Sequence, residues 1–210
     1  MSLTFYTNPM SRGRIVRWML EEVGQPYETV LLDWGTTMKA PEYLAINPMG
    51  KVPAVTHGDT VVTEAAAICA YLADAFPEAG LAPPHGHPDR GPYYRWLFFG
   101  AGPVEAAASN KALGVEVPPE RRGMVGYGTL EAVTKALEGA VTRGAYLAGD
   151  RFSAADLYVG AELGWLMQFG VIEKRPAFVT YTDHLLARPA AKRAAAIDDA
   201  LIPERPSAPA

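Results

Sequence analysis

Residues 47–55 read NPMGKVPAV, and the reading of this stretch decides what the first part of the chain is. Proline disfavours the helical conformation in the residue before it, so Asn47-Pro48 ends whatever local helix precedes. Gly50 supplies a turn, and Val52 to Val55 is apolar enough to form a strand. Pro53 stands inside that strand. It has no N–H for a ladder, which confines it to an edge or a first position. On the residues alone, Pro53 is an ordinary trans proline at the start of the strand.

Working outward, VPAVTHGDTVVTE holds two apolar runs, Val52–Val55 and Thr60–Thr63, around a turn at His57-Gly58-Asp59. This pattern predicts a β-hairpin. A helix is expected from Glu64 to Phe76, with Ala65, Ile68, Cys69 and Leu72 on one face. Upstream, LTFYT (3–7) reads as a strand stopped by Asn8-Pro9. Ser11 then caps a helix to Val23, with Gly24 and Pro26 past its end. Val16, Met19, Leu20 and Val23 give that helix a single apolar stripe. YETVLLD (27–33) is a second strand, and a short helix falls around Glu42–Leu44. The expected order is β-α-β-α-β-β-α, an α/β domain with a mixed sheet.

After Pro77 the texture changes. LAPPHGHPDRGP is dense in proline, glycine and histidine and reads as a linker, and no strand signal follows it. Helices are expected at Tyr93–Asn110, with a kink or end at Pro103, and at Glu120–Arg143. Ser153 and Asp156 form a variant capping box that opens another helix. Its body, LYVGAELGWLMQF, is apolar almost all round and is expected at the centre of its domain. Gly160 and Gly164 in it point to close approach of neighbours. Two more helices, Ala177–Ala187 and Ala190–Ala196, complete an all-helical bundle. The expected division is an α/β domain over 1–79, a linker over 80–89 and a helical domain over 90–210, with a loose PERPSAPA tail.

Composition narrows the function. Hydrophobic residues make up 49% and charged residues 20%, the balance of a folded globular chain. The net charge of -4 leaves no electrostatic footprint for nucleic acid, and Arg12, Arg14 and Arg17 are the best candidates for a local basic patch. The one cysteine, Cys69, excludes an intrachain disulfide framework and any CxxC pair, and its place in an apolar stripe suits a small buried hydrophobe. MSLTFYTNP does not read as a secretory leader, and no apolar run reaches the length of a membrane span. A cytoplasmic protein with no metal, membrane or nucleic-acid partner is expected.

The β-α-β start, NPMGKVPAV, TEAAAICAYLADAFP and GDRFSAADLYV, in this order, resemble the cytosolic-type glutathione transferases, most of all the serine type of the theta and delta classes. The resemblance runs from Leu3 to about Asp198. It implies a thioredoxin-like first domain that binds glutathione as co-substrate. It also implies a helical second domain supplying a pocket for a small hydrophobic electrophile, and a homodimer. It further implies that the Val52-Pro53 bond is cis, exposing the Val52 backbone to pair with the cysteinyl part of glutathione like an added strand.

The same resemblance assigns roles. Conjugation requires the glutathione thiolate, and a free cysteine thiol has a pKa near ~8.5, so a donor must favour the anion. Ser11 matches the catalytic serine; its bland role is a helix N-cap. Tyr6 and Asn8 are alternatives, although the pleat sends Phe5 and Tyr6 to opposite faces and sheet packing suits Tyr6. Lys51 falls where relatives bind the glycyl carboxylate, and Glu64 where they bind the α-ammonium group. Ala65 replaces the usual serine or threonine, keeping a helix N-terminal N–H for a carboxylate but no hydroxyl. Met10, Tyr94, Phe98 and Phe99 are expected around the electrophile. Arg12 and Arg14 oppose the dipole of the first helix, which suggests a role for their charge near the thiolate. The other readings are a non-catalytic binding member of the fold and a glutathione-dependent peroxidase.

Overall fold

The computed structural model describes residues 1–202; the expected loose PERPSAPA tail lies outside the described residues. The chain forms two compact units. One comprises Met1–Tyr71 together with the segment from Arg188 onward, and the other Leu72–Ala187.

The first unit is built on a four-stranded sheet. Its strands are β1 (Leu3–Thr7), β2 (Glu28–Leu31), β3 (Ala54–His57) and β4 (Thr60–Thr63), in the order β2-β1-β3-β4. β1 runs parallel to β2, as the crossover through helix α1 (Gly13–Val23) requires, and antiparallel to β3. β3 and β4 form the expected hairpin, with Gly58 at φ 57 in its turn. Alternation along β1 buries Leu3, Phe5 and Thr7 on one face of the sheet. Tyr6 lies on the other, against Leu32, Met38, Tyr43 and Ala54. Tyr43 comes from the single-turn helix α2 (Pro41–Leu44). Helix α3 (Ala65–Ala75) buries Ile68 and Cys69, and the division between the units falls inside it.

Helix α9 (Pro189–Ala200) belongs to the first unit, whereas the expected boundaries assigned it to the helical domain. The physical reason is a row of ion pairs to α1. Arg17 Nε meets Asp198 Oδ1 at 3.0 Å with both side chains buried. Arg188 grips Glu22 with two bonds of 2.6 and 2.8 Å, and Arg193 meets Glu21 at 3.0 Å. Arg17 therefore contributes nothing to a surface basic patch. Its guanidinium lies 5.0 Å from the Phe5 ring and donates to Tyr27 and Thr29. Burial pushes the Asp198 carboxyl up from the ordinary range, against the pull of Arg17.

The second unit is helical among the described residues: α4 (Arg90–Phe99), α5 (Glu105–Ala112), α6 (Leu130–Val141), α7 (Ala154–Gln168) and α8 (Pro176–Leu186). Pro103 does not end its helix. A π-helical turn over Gly100–Val104 takes up the missing N–H, and α5 continues the path. The helix expected over Glu120–Arg143 is shorter. A 3-10 turn covers Pro119–Met124, and α6 starts only at Leu130, where Thr129 caps it by accepting from Ala132 N. α7 is the buried centre. A Cβ on Gly160 would stand 2.5 Å from Leu185, so this glycine lets α8 approach, whereas Gly164 has no neighbour within 4 Å.

Candidate functional site

Strand register gathers the expected site at one end of the sheet. Tyr6 pairs with Ala54, and Ala54 pairs with Thr63. One step beyond those partners lie Thr7-Asn8, Val52-Pro53 and Glu64-Ala65 on three neighbouring strand ends. The loop after β1 thus shares one rim with two segments more than forty residues further along the chain.

The loop after β1 is held by its own polar groups. Asn8 is buried; its Nδ2 donates to the Leu32 carbonyl at 2.9 Å and its Oδ1 accepts from Met10 N at 3.0 Å. The amide considered as a thiol donor therefore has a structural task. Ser11 Oγ donates to the Asn8 carbonyl at 2.7 Å and accepts from Gly13 N at 2.9 Å. The N-cap of α1 is Arg12, with no side-chain cap bond, so Ser11 stands one residue ahead of the expected capping place and holds Gly13 N while its proton rests on a carbonyl. Gly13 is a residue the sequence reading passed over. A Cβ there would come within 1.9 Å of Thr7 Oγ1, so only glycine lets the first turn of α1 sit against the end of β1. A glycine in a helix's first turn, two residues after a candidate cap, was the available signal.

The second segment is the NPMGKVP loop. Asn47 folds it, accepting from Met49 N at its side chain and from Gly50 N at its carbonyl. The Lys51 carbonyl accepts from Tyr43 Oη at 2.5 Å and Asn47 Nδ2 at 2.8 Å, and Lys39 Nζ donates to the Met49 carbonyl at 2.9 Å. Burial pushes the Tyr43 hydroxyl up to about 12, so it stays a donor at any working pH. The Val52-Pro53 bond is cis. The Val52 side chain packs against the Tyr43 and Ala54 cluster. Neither its N–H nor its carbonyl has a hydrogen-bond partner among the described residues. The Lys51 side chain is exposed. Tyr43 and Lys39 were not singled out from sequence, and Asn47 only as a helix stop, because their partners are carbonyls, which carry no residue signature.

The third segment opens α3. Glu64 adopts φ 67, the left-handed region that a long side chain seldom occupies, at a cost of roughly 1–2 kcal/mol. Its carbonyl accepts from Ile68 N at 2.9 Å. The N–H groups of Ala65 and Ala66 have no acceptor among the described residues. That is an open helix N-terminus beside a carboxylate, suited to a zwitterionic end group.

Other expected site residues are placed as follows. Tyr6 lies 5.7 Å from Tyr43 ring to ring and lines a groove of about 330 Å³ with Val30, Ile46 and Glu42, on the face of the sheet opposite Phe5. Met10 is exposed. In the second unit, Tyr94 and Phe98 stand exposed one helical turn apart on α4, while Phe99 is half-buried against Trp96. Arg14 is engaged by Asp199 and the Pro9 carbonyl. Cys69 is fully buried, and burial pushes its thiol far above the usual range. Among the described residues no group of three or more histidine, cysteine or carboxylate side chains is arranged for a metal, and no helix is long and apolar enough to cross a membrane.

A thioredoxin-like sheet with a cis-proline loop, joined to a helical unit, defines the class. Residues 1–74 match the glutathione S-transferase N-terminal domain, and residues 126–189 match the C-terminal domain of the same family. Glutathione S-transferase 3 of Zea mays is 30% identical, over 92% of this chain and 93% of its own. A glutathione transferase structure from Methylococcus capsulatus is 31% identical, with a TM-score of 0.76, covering 95% of this chain and 100% of the other. The glutathione transferase URE2P6 of Phanerochaete chrysosporium, solved with oxidized glutathione, is 27% identical with a TM-score of 0.78, over 96% and 98%. The chain belongs to the glutathione S-transferase family.

Proposed function

We propose that this glutathione transferase binds glutathione at the sheet rim and conjugates it to a small hydrophobic electrophile. The observation that carries the reading is the Val52 backbone, with both polar groups unpartnered on the strand end between those that lead to Asn8 and to Glu64. The cysteinyl N–H and carbonyl pair with Val52 as one more strand. The γ-glutamyl carboxylate takes the Ala65 N–H at the start of α3, the Glu64 carboxylate takes the α-ammonium group, and Lys51 takes the glycyl carboxylate.

Ser11 is the thiol donor in this reading. On binding, its hydroxyl proton turns from the Asn8 carbonyl to the sulfur, and the thiol proton leaves to solvent. The helix N-terminus of α1 adds positive potential beside the anion. The thiolate then attacks the electrophilic carbon. A C–S bond forms with the sulfur's electron pair, and the leaving group departs with the pair from the bond that breaks. Holding both reactants supplies the rest of the rate. Met10, exposed one residue before Ser11, is the candidate for contact to the apolar substrate. A homodimer in the cytoplasm is part of the proposal.

The test is Ser11→Ala with an aryl halide as electrophile. Loss of one preorganised donor lowers kcat by about 10²-fold, while retention on immobilised glutathione is kept. Unchanged kcat removes Ser11 from the mechanism. Failure of the unaltered protein to bind glutathione removes the whole reading.

A further inference from the structure

The loop that carries Ser11 is tied down from two sides. From the sheet, Asn8 is anchored to the Leu32 carbonyl. From α1, Arg14 Nη1 donates to the Pro9 carbonyl at 3.3 Å, while Nη2 donates to Asp199 Oδ1 at 2.6 Å. One guanidinium thus links the candidate loop to a helix 185 residues away in sequence.

The neighbouring pair explains how Asp199 comes to be there. Residues 14 and 17 share a face of α1, being three apart. Successive residues of α9 point about 100° apart, so Asp198 turns inward to Arg17 and Asp199 outward to Arg14. Their exposures differ accordingly, 1% against 63%. The buried pair fixes α9, and the exposed one grips Arg14.

Stability does not account for Arg14. An exposed ion pair of this kind contributes little, and a cation in the first turns of a helix opposes its dipole. We propose that Arg14, gripped by Asp199, is a positioning residue for Ser11: it fixes the Pro9 carbonyl and with it the turn that aims the Ser11 hydroxyl. The proposal rests on Ser11 being the thiol donor. A competing role is direct attraction between the Arg14 charge and the thiolate. The two roles differ in the effect of Asp199. Under positioning, neutralising Asp199 loosens Arg14 and harms the thiolate. Under direct attraction, the same change frees positive charge and helps it.

The experiment titrates the thiolate absorbance of glutathione bound to the full chain, alongside kcat and KM. The variants are Arg14→Gln, Asp199→Asn, their combination, Asp199→Glu and Ser11→Ala. Positioning predicts that each neutralising variant raises the bound thiol pKa by about one unit and lowers kcat about tenfold, with KM for glutathione nearly unchanged. The combination is no worse than either alone, and Asp199→Glu restores function. A lowered pKa in Asp199→Asn, additive losses, or no shift in either variant overturns the proposal. If Ser11→Ala shifts the pKa and the Arg14 and Asp199 variants do not, positioning fails alone. If Ser11→Ala shifts nothing, the serine reading fails with it.

Discussion

Two helix N-termini in this protein use similar side chains to opposite ends. At α7, Asp156 is wholly buried, and its two oxygens accept four hydrogen bonds. Oδ1 takes Leu147 N at 2.6 Å and Tyr181 Oη at 2.8 Å; Oδ2 takes Ser153 N at 2.9 Å and Ser153 Oγ at 2.7 Å. Burial raises its pKa from the ordinary carboxylate range, and those donors oppose the rise. At α3, Glu64 sits in a strained conformation with the Ala65 and Ala66 N–H groups uncapped. One terminus is closed and serves the fold. The other has no acceptor for its first donors among the described residues, which leaves them to water or to a ligand.

The largest effect expected is at the closed terminus. Asp156→Ala strands donors from three residues in the core and costs about 3–5 kcal/mol, read as a lower denaturant midpoint. A loss below about 1 kcal/mol would mean that the capping network is incidental. Next comes the junction of α1 with β1. Gly13→Ala costs about 1–3 kcal/mol by overpacking against Thr7, and a second change, Thr7→Ala, recovers most of it. If Thr7→Ala gives no recovery, the close approach is not the reason for glycine here.

The open terminus is sharpened by filling it. Ala65→Ser adds a hydroxyl beside the expected carboxylate and should tighten glutathione about tenfold, measured by calorimetry. Unchanged affinity would show that the N–H groups of α3 meet no ligand carboxylate. The smallest effect is at Cys69. Its thiol is held neutral by burial, so alkylation of the folded protein stays negligible from pH 7 to 9 and does not rise with pH as a free thiol's would. Rapid labelling in that range would place the side chain on the surface.

Much of this was legible in the sequence. Alternation in LTFYT, the stripe of α1, the Gly58 turn and the Ser153–Asp156 spacing are local patterns, and local sterics and periodicity suffice to read them. The Glu120–Arg143 segment misled although Gly123, Gly126 and Gly128 in its head speak against a helix, and α6 begins only past them, at the Thr129 cap. Gly13 and Gly160 were legible only as glycines. What each makes room for, Thr7 or Leu185, is a matter of packing.

By itself the sequence determined the family, the α/β start, the helical second half and the segments that form the rim. Only the tertiary structure decided that three of those segments end side by side. It also decided that Val52 keeps its backbone unpaired and that α9 belongs with α1. The reason is physical. Register and ion pairing join groups across separations of up to 185 residues, and carbonyls and N–H groups, which do much of that joining, are the same in every residue.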